Sequence, residues 1–187
     1  MLVKNKFISP ITLYNHVPDE NILTRKTYLY PDQIYILQIS RWFMEQFKKV
    51  TENKKQYLEL LLLADPSEEM VDQYLETGDM FTLSKQGHVI CEAVVDPRGE
   101  LKNLAVDPLH QKKGVGMKML QLLSEYYRGK FDFLFVGTSD SGVAFYEKCG
   151  FQYSHTVKNF FTDHYPAPIF EDGKQCIDMI YLKKELF

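Results

Sequence analysis

The chain has 187 residues, 45% hydrophobic and 25% charged, with 8 prolines, 10 glycines and a formal charge of −3. That composition suits one globular domain and excludes disordered, collagenous and low-complexity classes. The small negative charge gives no footprint for nucleic acid, and no apolar run approaches the roughly 20 residues of a membrane helix.

Residues 1–43 are rich in aromatics (Phe7, Tyr14, Tyr28, Tyr30, Tyr35, Trp42, Phe43) without a clean period, and Pro31–Phe43 fits strand and helix alike. Met1–Ser9 has no apolar signal core because Lys4, Asn5 and Lys6 interrupt it, so a soluble, cytoplasmic protein is expected. From there on, strand and helix signals alternate. Phe47–Thr51 reads as a strand, Asn53–Ala64 as a helix, and Asp65-Pro66-Ser67 as a break that starts a second helix running to about Glu76. Met80–Ser84 and Val89–Val95 form a hairpin around Lys85–His88. Asp96-Pro97-Arg98-Gly99 turns into the strand Leu101–Val106, which Asp107-Pro108 ends. Val115, Met119, Leu122, Leu123 and Tyr126 recur at helical spacing over Val115–Tyr127. Phe131–Val136 follows as an almost uniformly apolar strand, completing a βαβ unit. Ser141–Cys149 is a helix closed by Gly150, and Gln152–Val157 and Ile177–Leu182 are the last strands. Between them Lys158–Gln175 is an 18-residue loop, long enough to be a functional segment.

Cys91, Cys149 and Cys176 are too scattered for a zinc cage or a redox pair, and unpaired buried thiols are expected. The five histidines lack the i, i+4 spacing of a helical metal pair, so no metal is expected.

The stretch Leu104-Ala105-Val106-Asp107-Pro108-Leu109-His110-Gln111-Lys112-Lys113-Gly114-Val115-Gly116 carries the chemistry. A strand, a basic glycine-containing loop and a helix N-terminus make an anion site, since successive N–H groups converge where the helix dipole is positive. Gly114 and Gly116 remove Cβ atoms that would hold a phosphate away, and Lys112 and Lys113 add charge. A dinucleotide fingerprint fails because Met119 stands at its third glycine; a Walker loop fails at Val143; a nucleophile elbow fails at Ser141. What remains is Q-x-x-G-x-G at Gln111, Gly114 and Gly116, or else an ordinary strand-to-helix turn.

Together with Phe145-Tyr146-Glu147-Lys148-Cys149-Gly150-Phe151, this stretch resembles the GNAT superfamily of acyl-CoA N-acyltransferases, over about residues 44–187. Within it, the loop from Asn159 to Asp172 is similar to a bacterial subgroup without assigned substrates. The resemblance implies an α/β (α+β) fold: a mixed, mostly antiparallel sheet of six to seven strands, helices on both faces, and a parallel central pair, Leu101–Val106 and Phe131–Val136, splayed in a V. It also implies acetyl-CoA as co-substrate. The pantetheine arm would bond to main-chain groups of Leu104 and Val106, beside Ala105. The pyrophosphate would take amides from Gln111, Lys112, Lys113, Gly114, Val115 and Gly116. Ser139 stands where family members often carry an asparagine that touches the pantetheine, and Gly142 replaces the familiar alanine.

The implied reaction is direct attack of an amine on the thioester, with no acyl-enzyme. An N–H near Ala105 or Val106 would steady the oxyanion, and Tyr146, a phenol protonated at neutral pH that also touches the cofactor, would protonate the departing thiolate. Glu92, whose neighbours Cys91 and Ala93 point to the other face, is a candidate base, and Asn103 a candidate to position a water. Asp163, His164 and Tyr165, with Glu171 and Asp172, are candidates to line the acceptor pocket. The expected acceptor is a small-molecule or peptide amine, and a homodimer is left open. A non-catalytic acyl-CoA-binding regulatory module is the alternative. Met44-Glu45-Gln46 stands where a complete family member would begin, so residues 1–43 are read as lying outside the domain at 44–187, or else as a genuine N-terminal extension that packs on its sheet.

Overall fold

The computed structural model describes residues 45–187 and, before them, only Ile11–Thr12 and Tyr28–Leu29. The chain divides into two units, Met1–Met44 and Glu45–Phe187. In the first, Ile11–Thr12 pairs antiparallel with Tyr28–Leu29. The readings of Pro31–Phe43 lie outside the described residues.

The second unit is built on a seven-stranded sheet. Its strands and helices run β1 (Gln46–Val50), α1 (Leu58–Leu61), α2 (Glu68–Leu75), β2 (Asp79–Lys85), β3 (His88–Val95), β4 (Glu100–Val106), α3 (Val115–Tyr127), β5 (Phe133–Thr138), α4 (Asp140–Lys148), β6 (Gln152–Val157), α5 (Phe160–His164), β7 (Phe170–Glu171), β8 (Lys174–Gln175) and β9 (Met179–Glu185). The sheet order is β1-β2-β3-β4-β5-β9-β6, and every neighbouring pair is antiparallel except β4 and β5. Among the described residues no helix is long and apolar enough to cross a membrane.

Alternation along the strands makes two cores. Phe81, Leu83, Cys91, Ala93 and Val95 point to the face covered by α3, where Met119, Leu120, Leu123 and Tyr127 are buried. Met80 and Val94 point to the opposite face and meet Leu61, Val71, Tyr74 and Leu75 of α1 and α2. The buried stripe of α3 is therefore rotated slightly from the one read in the sequence: Leu120 and Tyr127 are inside, while Leu122 and Tyr126 are half-buried. Cys91, Cys149 and Cys176 are unpaired and buried.

Three elements differ from their sequence reading. The expected helix over Asn53–Ala64 is a 3₁₀ turn, Lys54–Tyr57, followed by the short α1, because Asn53 sits at φ 49° and Asp65 captures the Ser67 amide at 3.2 Å. The expected strand Phe131–Val136 begins only at Phe133, since the Lys130 and Phe131 amides close α3 on the Tyr127 carbonyl. It also buries one face rather than two: Leu134 and Val136 are inside, while Phe133 and Phe135 are half-buried. Within the long loop, α5 and the β7–β8 hairpin supply regular structure.

One irregularity shapes the site. Val94 faces Asn103 and Val95 faces Leu101, so Lys102 is the extra residue of a β-bulge in β4. The bulge lets Leu101 and Leu104 share the α3 face while Asn103 and Ala105 turn to the other. It falls where β4 stops pairing with β5, whose parallel contacts end at Glu100–Phe135 and Leu101–Val136. A bulge bends its strand and sharpens its twist, which carries the rest of β4 away from β5.

Candidate active site

The parted strands leave a gap edged by main-chain groups. The Asp107 amide donates to the Ile90 carbonyl at 2.9 Å, so the register partners Asp107–Ile90 and Ala105–Glu92 face β3. By alternation the amides of Leu104 and Val106 point into the gap. The Ala105 amide is engaged by the Glu92 carboxylate at 3.1 Å, leaving Val106 as the open donor of the two residues considered for an oxyanion.

Beyond Val106 the chain makes a compact loop. Asp107 caps it by accepting from the Leu109 amide at 2.9 Å, and His110 Nδ1 lies 3.0 Å from the same carboxylate. The histidine bond holds the Asp107 carboxyl below its usual range. Gln111 Nε2 donates to the Val106 carbonyl at 3.1 Å, and Lys113 Nζ donates back to the Leu109 carbonyl at 2.8 Å. Lys112 is exposed at φ 57° and Gly114, at φ 82°, is the N-cap of α3. The first amide of α3 bonded inside the helix is that of Lys118, to Gly114, so the amides of Val115, Gly116 and Met117 lack intrahelical acceptors. The two glycines serve different needs. Gly114 has a positive φ and a Cβ there would meet no protein atom among the described residues; at Gly116 a Cβ would lie 3.2 Å from the Phe145 ring and 3.5 Å from Val106.

Helix α4 carries Tyr146, which packs against the core on the α3 face. Its ring packs edge-on against Phe145 and Phe151, with centroids 5.0 and 5.6 Å away, and burial raises its phenol above the ordinary value. Ser139, the N-cap of α4, is buried and donates to Glu171 of β7, as does Ser141. Glu171 is thus tied to the start of α4.

On the α1–α2 face lies a second cluster. Glu92 is fully buried; Oε1 holds the Ala105 amide and Oε2 has no partner among the described residues. Burial pushes its carboxyl up to about 8, against the opposing pull of that amide. Asn103 Nδ2 donates to the Leu61 carbonyl at 3.0 Å and to the Tyr74 hydroxyl at 2.8 Å. Tyr74 in turn donates to Asp65 at 3.3 Å, and Tyr165 reaches the other oxygen of Asp65 at 3.3 Å. Asp65, Tyr74 and Tyr165 border a cavity of about 550 Å³ that runs to Leu101 and Gly137. Of the three loop residues expected at an acceptor pocket, only Tyr165 borders this cavity. Asp163 is exposed, and exposed His164 stacks on Phe160 at 4.4 Å. Asp65 and Tyr74 were missed in the sequence: Asp65 reads there as part of a helix break, and Tyr74 lies unremarked within the helix running to about Glu76.

The acetyltransferase (GNAT) domain profile matches residues 76–153. An uncharacterized N-acetyltransferase of Bacillus subtilis, YvbK, is 35% identical over 143 residues, covering 72% of this chain and 92% of that protein. The structure of a GNAT family acetyltransferase from Elizabethkingia anophelis with acetyl-CoA bound is 35% identical, with a TM-score of 0.72 over 76% of this chain and 98% of that one. A Bacillus subtilis acetyltransferase in complex with CoA is 33% identical, with a TM-score of 0.69 over 77% of this chain and 100% of the other. Matched at this identity to a relative that it spans almost from end to end, the chain belongs to the GNAT family and is an acyl-CoA-dependent N-acetyltransferase.

Proposed function

We propose that this enzyme moves an acetyl group from acetyl-CoA to a primary amine by direct attack in the gap between β4 and β5. The observation that carries the reading is the parting of these strands after Leu101 and Val136. It leaves the main-chain groups of Leu104 open to a pantetheine arm, as an added strand would use them, and the Val106 amide open to the thioester oxygen. The free amides at the start of α3, with Lys112 nearby, suit the pyrophosphate. Acetyl-CoA in one relative and CoA in another support the same co-substrate here.

In this reading the amine nitrogen attacks the thioester carbon, the new C–N bond forms and the C–S bond breaks. The Val106 amide faces the developing oxyanion. Glu92 takes the proton lost by the amine; a carboxyl pushed up to about 8 is matched to that task. Asn103, two hydrogen bonds from Asp65, orders the polar chain beside the attacking amine. Tyr146 gives its hydroxyl proton to the CoA thiolate and regains one from solvent. Because the Ser139 hydroxyl is bound to Glu171, a pantetheine contact there would use the Ser139 main chain.

The reading assigns catalysis to residues 44–187 and treats 1–43 as an extension. A chain beginning at Met44 that folds and keeps full turnover is the expected result. The central test is a melting-temperature shift with acetyl-CoA, which at 100 times its dissociation constant adds about 2.7 kcal/mol of stability, followed by thiol release with a panel of amines. Binding without thiol release from any amine indicates a regulatory acyl-CoA-binding module instead.

A further inference from the structure

We propose that the acceptor is an aliphatic amine bearing a second ammonium group, and that Asp65 holds that second group while the first is acetylated. The proposal rests on the amine-acetylating function above and narrows its substrate class.

Asp65 is only 8% exposed, yet its partners are all neutral: the Ser67 amide at 3.2 Å and the hydroxyls of Tyr74 and Tyr165 at 3.3 Å each. A buried carboxylate ordinarily has a cation beside it, because an uncompensated charge is expensive to desolvate. The other acids bordering the cavity have theirs. Asp96 is paired with Arg98 at 3.0 Å, and Glu100 with Lys102 at 2.8 Å. Lys102 acts on Asp65 only through space, as the weakest of the influences on its carboxyl, while burial dominates and raises it. The cavity therefore presents one carboxylate whose charge is not matched by a contacting cation among the described residues.

The walls suit the same guest. Tyr74, Tyr165 and Phe160 border the cavity, and aromatic faces attract ammonium groups. Its volume of about 550 Å³ exceeds what a single small amine fills. The geometry also joins the cavity to the reaction centre. Asp65 is two hydrogen bonds from Asn103, and Asn103 to Val106 spans roughly 10 Å at the rise of a strand. An acceptor carrying a carboxylate instead would meet Asp65 as a like charge.

The test compares putrescine with butylamine, which share a chain and differ in the distal ammonium, by thiol release from acetyl-CoA. Wild-type enzyme is expected to favour putrescine in kcat/KM by about ten- to a hundredfold, the value of one charge-assisted contact. Asp65→Asn is expected to bring that ratio close to one while keeping the melting shift with acetyl-CoA. Tyr165→Phe, which keeps the ring and the carboxylate, is expected to lower it partway. Equal use of both amines by the wild type overturns the proposal and leaves acetyl transfer standing, and needs no variant. An Asp65→Asn enzyme that loses both amines in proportion assigns Asp65 a structural role and overturns it as well. Thiol release with neither amine, acetyl-CoA being bound, removes both the proposal and the small-amine function on which it rests.

Discussion

The Ala105 amide donates at 3.1 Å to the carboxylate of Glu92, its register partner across β3 and β4. One contact thus ties the acid to the strand that edges the gap between β4 and β5, and it occupies the Ala105 amide. The same burial that raises the Glu92 carboxyl to about 8 makes its ionisation visible in both stability and rate.

The sign follows from linkage. Between the ordinary value of 4.5 and about 8 the folded chain holds a proton on Glu92 that the unfolded chain has lost. This group's contribution is therefore fully present at low pH and is lost as pH rises through that window. Glu92→Gln removes the dependence, so denaturant unfolding should find the variant gaining on the wild type from pH 5 to 8. In kcat/KM the wild type should show a rising limb near 8, and the variant should lose that limb and about 10²-fold or more in rate. A variant with the wild-type pH profile removes Glu92 from proton transfer.

Tyr146→Phe keeps the packing against Phe145 and Phe151 and deletes only the hydroxyl. The melting temperature and the acetyl-CoA-induced shift should be nearly unchanged, while kcat falls by about 10²-fold. Because burial raises the phenol, the wild-type rate should not decline until above the ordinary tyrosine range. Turnover equal to wild type in the phenylalanine variant confines Tyr146 to packing.

How much of this was legible in the sequence depended on whether the information was local. The hairpin around Gln86 and Gly87, both at positive φ, follows from its turn residues, and α3 follows from its period. The turn at Gln111–Gly116 into α3 was legible because backbone conformation and helix start are encoded within a few residues. The tight neighbours of Gly116, Phe145 and Val106, were not legible, since only the folded chain brings them near. The face that carries Asp65 and Tyr74 was least legible. Asp65 and Tyr165 are 100 positions apart, and the bulge at Lys102 that turns Asn103 toward them leaves no mark in a strand of mixed polarity.

Gly114 offers a clean separation of backbone from bulk, since a Cβ there meets nothing. Gly114→Ala should lose about 1 kcal/mol through its φ of 82° alone, read by thermal or denaturant unfolding. Gly114→Asn should lose less, because asparagine tolerates the left-handed region. The same order, glycine then asparagine then alanine, should appear in acetyl-CoA affinity measured by calorimetry, since the conformation aims the amides that follow. Equal affinity in all three separates this loop from the pyrophosphate.

The Lys54 ammonium donates to the carbonyls of Leu75, Glu76 and Gly78 at 2.8, 2.9 and 2.8 Å, gathering the end of α2 where those oxygens lack helical partners. A cation at a helix C-terminus is favoured by the dipole as well. Lys54→Met, which keeps most of the aliphatic stem, should destabilise the unit by about 2 kcal/mol, the scale of hydrogen bonds to a charged group. Because α2 also carries Tyr74, which donates to Asp65, loosening its end should raise KM for the amine more than KM for acetyl-CoA. In the proposed reading the cofactor lies against α3 and β4, whereas the Lys54 ammonium bonds to Leu75, Glu76 and Gly78. Steady-state kinetics with each substrate varied in turn would read the difference. A uniform loss of kcat with both KM values unchanged would detach the acceptor site from α2.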